Sequence, residues 1–125
     1  PRATRKGWAA VAALKLGYVW IDRADTDTAM IFEELTRSGG PKEVAMVNCK
    51  LTDEHLAALA ARPTDVRTLH LSGCRDVTDK GLEHLATVAS LEKVIHFYTG
   101  FTDSGLQKFQ MARPKVRVER GLTAA

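Results

Sequence analysis

The sequence predicts an α/β fold in which short strand–helix units repeat and stack into a solenoid behind an N-terminal helical cap. Three observations carry that expectation. The strings PKEVAMVNCKLTD (from Pro41), VRTLHLSGCRDVTD (from Val66) and LEKVIHFYTGFTD (from Leu91) share one pattern of apolar positions. Equivalent residues recur at a fixed interval: Cys49, Cys74 and Thr99 are 25 apart, and so are Val44, Leu69 and Val94. Within each unit, apolar residues two apart give way to apolar residues three apart, the change of period from strand to helix.

Residues 1–40 read as the cap, including a degenerate first repeat. Thr4 to Leu14 fits an amphipathic helix with Trp8, Val11, Ala12 and Leu14 available for packing. Stepping back 25 from Val44 and Met46 lands on Val19 and Ile21, so LGYVWI (Leu16 to Ile21) is an earlier strand. Asp25 or Thr26 can cap a second helix running to about Arg37, which Gly39-Gly40 ends. Residues 41–125 hold three 25-residue repeats and a last strand, Val116 to Glu119, without its helix. Each repeat starts its helix with a Thr-Asp pair: Thr52-Asp53, Thr78-Asp79 and Thr102-Asp103. The hydroxyl caps orphan amides, and the carboxylate sits at the positive end of the helix dipole. Leu56 with Leu59, Leu82 with Leu85 and Leu106 with Phe109 then face the strands. One such unit cannot bury its apolar surface alone, whereas roughly four and a half stacked units share one core.

The motif LxxLxLxxC/TxxLTDxGLxxL resembles the cysteine-containing leucine-rich repeats, in the bacterial form where Leu-Ser-Gly-Cys/Thr and Thr-Asp-x-Gly-Leu recur. Leu71-Ser72-Gly73-Cys74 with Val77-Thr78-Asp79-Lys80-Gly81-Leu82 matches almost throughout, and Thr102-Asp103-Ser104-Gly105-Leu106 matches again. The first full repeat departs, with His55 where the others carry glycine; in the third, His96 replaces an inward leucine. The resemblance covers about residues 16 to 119. It implies right-handed strand–helix repeats, a parallel sheet on a concave face, and a protein–protein interaction scaffold. The layout of a helix, a short strand and a few repeats is also similar to the mitochondrial ATP synthase coupling factor B proteins. That likeness implies a subunit or assembly component of a respiratory or ATP synthase complex.

At 125 residues the chain is one domain, with 45% hydrophobic and 26% charged residues. It has no run of about eighteen apolar residues, the length a transmembrane helix needs. The most apolar stretch, Trp8 to Ile21, is broken by Lys15 and Gly17 and does not read as a secretory signal. The start at Pro1, without methionine, points to missing or processed residues before it. Two cysteines are too few for a disulfide framework and fit a reducing, intracellular setting, cytoplasmic or mitochondrial. The net charge of +3 gathers at the ends, in Arg2, Arg5 and Lys6 and in Lys108, Arg113, Lys115, Arg117 and Arg120. Solvated termini are the favoured reading; an accessory ribonucleoprotein subunit anchored by these ends is the alternative.

With Val44, Leu69, Val94 and Val116 facing inward, three outward columns follow. They are Trp20, Ala45, His70, Ile95 and Arg117; Tyr18, Glu43, Thr68, Lys93 and Lys115; and Asp22, Val47, Ser72, Phe97 and Glu119. Tyr18, Trp20, Val47, His70, Ile95, Phe97 and Arg117 are therefore the candidate partner-binding residues: aromatic groups rimmed by charge suit a protein-binding surface. The opposing arrangement covers Tyr18 and Trp20 with the N-terminal helix and turns Phe97 into the core beside His96. His96 itself is either a satisfied core histidine or the mark of a local register slip. Cys49, Cys74 and Thr99 form a structural ladder, its rungs roughly 5 Å apart. No CxxC or HxxxH spacing accompanies it and a threonine occupies the third rung, so neither a metal nor a cofactor is expected. A disulfide between the two thiols under oxidising conditions would depend on geometry. Ser38-Gly39-Gly40 is too short for a phosphate loop, and Asp53, Asp79 and Asp103 are helix-start residues rather than an acid–base set. The expectation is a chain without catalytic residues.

Overall fold

The computed structural model describes residues 17–22, 28–37 and 39–121. Strands and helices alternate along them: β1 (Tyr18–Asp22), α1 (Thr28–Leu35), β2 (Glu43–Val47), α2 (Asp53–Ala60), β3 (Thr68–Ser72), α3 (Asp79–Leu85), β4 (Lys93–Phe97), α4 (Asp103–Ala112) and β5 (Arg117–Arg120). The strands form one parallel sheet in the order β1-β2-β3-β4-β5. Among the described residues no helix is long and apolar enough to cross a membrane. The helix expected over Thr4 to Leu14, and the cap expected at Asp25 or Thr26, lie outside the described residues. After α1 the chain turns at Gly39, whose φ of +84° suits glycine, and Gly40 N–H donates to the Arg37 carbonyl at 2.9 Å.

The 25-residue period is the register of the sheet. Val19 pairs Val44, Val44 pairs Leu69, and Leu69 pairs Val94. Alternate residues Val44, Met46, Leu69, Leu71 and Val94 are buried against Leu56, Leu59, Leu82, Leu85 and Phe109 of the helices. This is the two-residue strand period meeting the helical one across a single core.

The last strand corrects the expected register. Val94 pairs Val118, and Lys93 pairs Arg117, so Arg117 belongs beside Lys93 and not in the column of His70 and Ile95. Glu119 takes the place next to Ile95. Val116 is buried, but as the residue that precedes the strand, equivalent to Val66 and Leu91 at intervals of 25. Two residues separate Val66 from Leu69 and Leu91 from Val94; one separates Val116 from Val118. That missing residue shifts β5, and a one-residue change in a strand exchanges its faces.

The Thr-Asp pairs do more than begin helices. Thr52, Thr78 and Thr102 are the N-caps; Thr78 Oγ1 accepts from Lys80 N–H and Thr102 Oγ1 from Gly105 N–H. Two of the aspartates link one unit to the next. Asp53 accepts from Thr78 N–H at 2.7 Å and Thr78 Oγ1 at 2.5 Å. Asp79 accepts from Thr102 N–H at 2.9 Å and Thr102 Oγ1 at 2.6 Å. Glycine at the third helical position makes room for this: a Cβ on Gly81 would lie 2.7 Å from Asp53 Oδ1, and one on Gly105 would overlap the Asp79 carboxylate. In the first full repeat His55 stands there instead, and its Nδ1 accepts from Thr52 N–H at 2.9 Å.

Candidate binding site

The helices cover one face of the sheet, and the residues alternating with the core form the other. Its central row is Trp20, Ala45, His70, Ile95 and Glu119. Trp20 is 50% exposed and Tyr18 47%, their rings 6.2 Å apart. Trp20 also meets His70 edge-on at 5.3 Å, although their strands are separated by β2. Between them lies Ala45, which was expected outward and is fully buried. A methyl group is short enough for the two rings to close over it. His70 Nε2 lies 2.5 Å from Ser72 Oγ, and burial pushes the His70 pKa below its ordinary value. Burial, with Glu43 as the lesser cause, raises the Tyr18 hydroxyl.

Ile95 is half-buried for a reason the sequence did not suggest. A Cβ on Gly121 would lie 3.2 Å from both Ile95 Cγ2 and Ser72 Oγ and 3.5 Å from His70 Nε2, so the backbone after β5 lies against this part of the face. It divides the expected surface in two. Tyr18, Trp20 and His70 stay together on one side, with half-buried Val47 paired to Asp22 at the strand ends. Phe97 belongs to a second group: its ring is 4.8 Å from Tyr98, and the Arg120 guanidinium sits 5.5 Å from it. Phe97 therefore points away from the core while His96 points inward, half-buried, its ring 6.0 Å from Phe101. The Leu71–His96 and Ser72–Phe97 pairings are continuous, so there is no register slip. Burial first, and Arg120 second, hold the His96 pKa low.

Sequence reasoning missed Tyr98. It is 65% exposed, and Arg75 lies 5.5 Å from its ring centroid. Its φ is +55°, as Asn48 has +53° and Gly73 +76° at the same place in the preceding units. The signal was present: Asn48, Gly73 and Tyr98 are 25 apart, and the first two are residues that accept the left-handed conformation readily.

The two cysteines of the expected ladder lie against backbone carbonyls. Cys74 is fully buried, its Sγ 3.0 Å from the Met46 carbonyl, and burial raises its pKa to about 12. Cys49 Sγ lies 3.3 Å from the Val47 carbonyl, and neither thiol is in a disulfide. Among the described residues no group of three or more His, Cys, Asp or Glu is arranged to hold a metal. The basic C-terminal end is partly committed within the fold. Arg113 donates to the Ala86, Val88 and Leu91 carbonyls, and Arg117 pairs with Glu119, which also holds Lys93 at 3.1 Å. On the helix side a cleft of about 330 Å³ runs between α3 and α4, floored by Leu82, Ala86 and Phe109.

No family model matches the chain. It is 30% identical over 96 residues to the Caenorhabditis elegans "Putative RNA-binding protein EEED8.10"; the match takes in 74% of this chain and 13% of that protein's length. Among solved structures, the leiomodin-1 actin-binding site 2 (ABS2) is similar in fold, with a TM-score of 0.65 at 14% sequence identity. That alignment covers 95% of this chain and 78% of the leiomodin chain.

Proposed function

We propose that the chain is a leucine-rich-repeat solenoid of the cysteine-containing type and serves as a non-enzymatic binding module within a larger assembly. The observation that carries this reading is the pair of half-exposed aromatic rings, Tyr18 and Trp20, beside His70 on the sheet face the helices leave open. Large rings held rigidly at the surface bury much area at little cost in rotamer freedom, which is why they dominate protein-binding surfaces. The leiomodin segment is named for actin binding, which supports the general idea that this architecture presents a surface to protein partners. The test is purification from the native source under gentle conditions, with the complex mass measured for the wild type, Trp20→Ala and Lys108→Ala. A stoichiometric partner lost only with Trp20→Ala supports the reading. Equal retention in both variants removes this face from consideration.

A second reading, contact with nucleic acid, has its own observation. The nematode relative is named as RNA-binding, and this chain carries a net charge of +3. Binding of this kind weakens steeply as salt rises, because the cations that neutralise phosphates displace condensed counterions.

A further inference from the structure

Four side chains alternate at the carboxyl ends of β3, β4 and β5. The Arg75 guanidinium lies 5.5 Å from the Tyr98 ring, Tyr98 meets Phe97 edge-on at 4.8 Å, and Arg120 lies 5.5 Å from Phe97. A guanidinium beside a ring leaves most of its N–H donors to spare, since the ring takes none of them in a conventional hydrogen bond, and they can serve an anion. Arg67, Lys93 and Arg117 all pair with glutamates, whereas no ion pair among the described residues uses Arg75 or Arg120. Lys50, 25 residues before Arg75 and exposed, extends the cationic row along the same loop edge.

Tyr98 is the unusual member. The repeat imposes a left-handed backbone at its position, met by Asn48 and Gly73 in the two preceding units with residues suited to it. Here the chain holds a bulky ring in that conformation and leaves it 65% exposed, so core packing does not account for it.

We propose that this cluster binds single-stranded nucleic acid, with a base stacked on Tyr98 and flanking phosphates held by Arg75 and Arg120. The proposal rests on the second reading of function above and gives it a site. A single strand alternates flat faces with negative charges, as the cluster alternates rings with guanidiniums. In a duplex the bases are stacked on one another and closed to Tyr98. An acidic peptide would satisfy the guanidiniums and give the ring no planar partner.

The test is fluorescence anisotropy of the full chain with a labelled oligouridylate, a duplex of equal length and an oligoglutamate peptide, at low and moderate salt. Tyr98→Asn places in the left-handed position a residue that accepts it, so the variant keeps its fold while losing the ring. The expected result is a loss of about 10-fold in affinity for the single strand with Tyr98→Asn. Arg75→Gln with Arg120→Gln should lower the salt dependence by about two counterions. If the wild type binds the single strand but only Lys108→Gln with Lys115→Gln weakens it, the site is overturned and the nucleic-acid reading stands on the basic end. If the wild type binds no nucleic acid, both fall. Equal affinity for the duplex overturns the stacking, and tighter binding of oligoglutamate overturns the occupant.

Discussion

Replacing the aspartates of the three Thr-Asp pairs one at a time should give unequal losses, although the sequence makes them look alike. Asp79→Ala removes the acceptor of two hydrogen bonds from Thr102, at 2.9 and 2.6 Å, and Asp53→Ala removes the equivalent pair from Thr78. Hydrogen bonds to a charged acceptor contribute about 1.5–3 kcal/mol each where water is excluded. These lie at an exposed edge where water can replace part of the loss, so each pair is worth about 1–2 kcal/mol in all. Asp103 starts the last helix, and the bonds described among these residues include none to its carboxylate. Its removal forfeits only the helix-dipole contribution, about 0.3–1 kcal/mol, which the other two lose as well. Urea unfolding followed by circular dichroism reads the difference directly. The midpoint should fall clearly for Asp53→Ala and Asp79→Ala and little for Asp103→Ala, at constant m. Three equal losses would mean that the aspartates act only within their own helices, and the ladder would carry no stability.

Gly105→Ala would stabilise an ordinary helix by about 1 kcal/mol. Here a Cβ overlaps the Asp79 carboxylate, so the substitution should destabilise by about 1–3 kcal/mol, and by less in an Asp79→Ala background. Urea melts of the double-mutant cycle check this; additive effects would contradict it. Cys74, with a pKa of about 12 and no exposed surface, should resist iodoacetamide at pH 8 in the folded protein and react on unfolding. Mass spectrometry of the alkylated protein decides, and prompt native-state labelling would show the site to be open. Burial lowers the pKa of His55, His70 and His96 from the ordinary 6.5. The unfolded chain therefore takes up protons before the folded one, and stability that is full above about pH 6.5 declines as the pH falls below it. Urea midpoints at pH 7.5 and 5.5 should differ in that direction; a higher midpoint at pH 5.5 would refute it.

The positions and inward residues of β2, β3 and β4 and the N-caps Thr52, Thr78 and Thr102 were legible because each depends on spacing alone. Val44, Leu69 and Val94 recur at 25 and pair at 25. What spacing could not supply was contact between residues far apart in the chain. Arg117 was misplaced because one residue is missing after Val116, and a count across a helix does not reveal where the missing residue falls. Ala45 was read as exposed because the strand period assigns it to the open face; its burial comes from Trp20 and His70, which meet over it. The aspartates were read as helix-start residues, which they are, but Asp53 and Asp79 also accept bonds from the following unit.

A position that keeps the period is explained by the period, since every unit needs a core leucine, a capping threonine and a left-handed turn residue. Departures need another cause, and the structure supplies a local one for two of them. His55 takes over an amide at its own N-cap, and His96 packs against Phe101. Tyr98 has no such account: it occupies a left-handed turn position and its ring remains outside the core. Tyr18 and Trp20 are likewise in register with the sheet yet keep their rings half-exposed. The exposed rings thus stand at two separate places on the sheet, the β1 edge and the end of β4, with the Gly121 backbone between them. A substitution at one should leave binding at the other unchanged, and loss of one ligand with both sets of variants would show the face to be a single site.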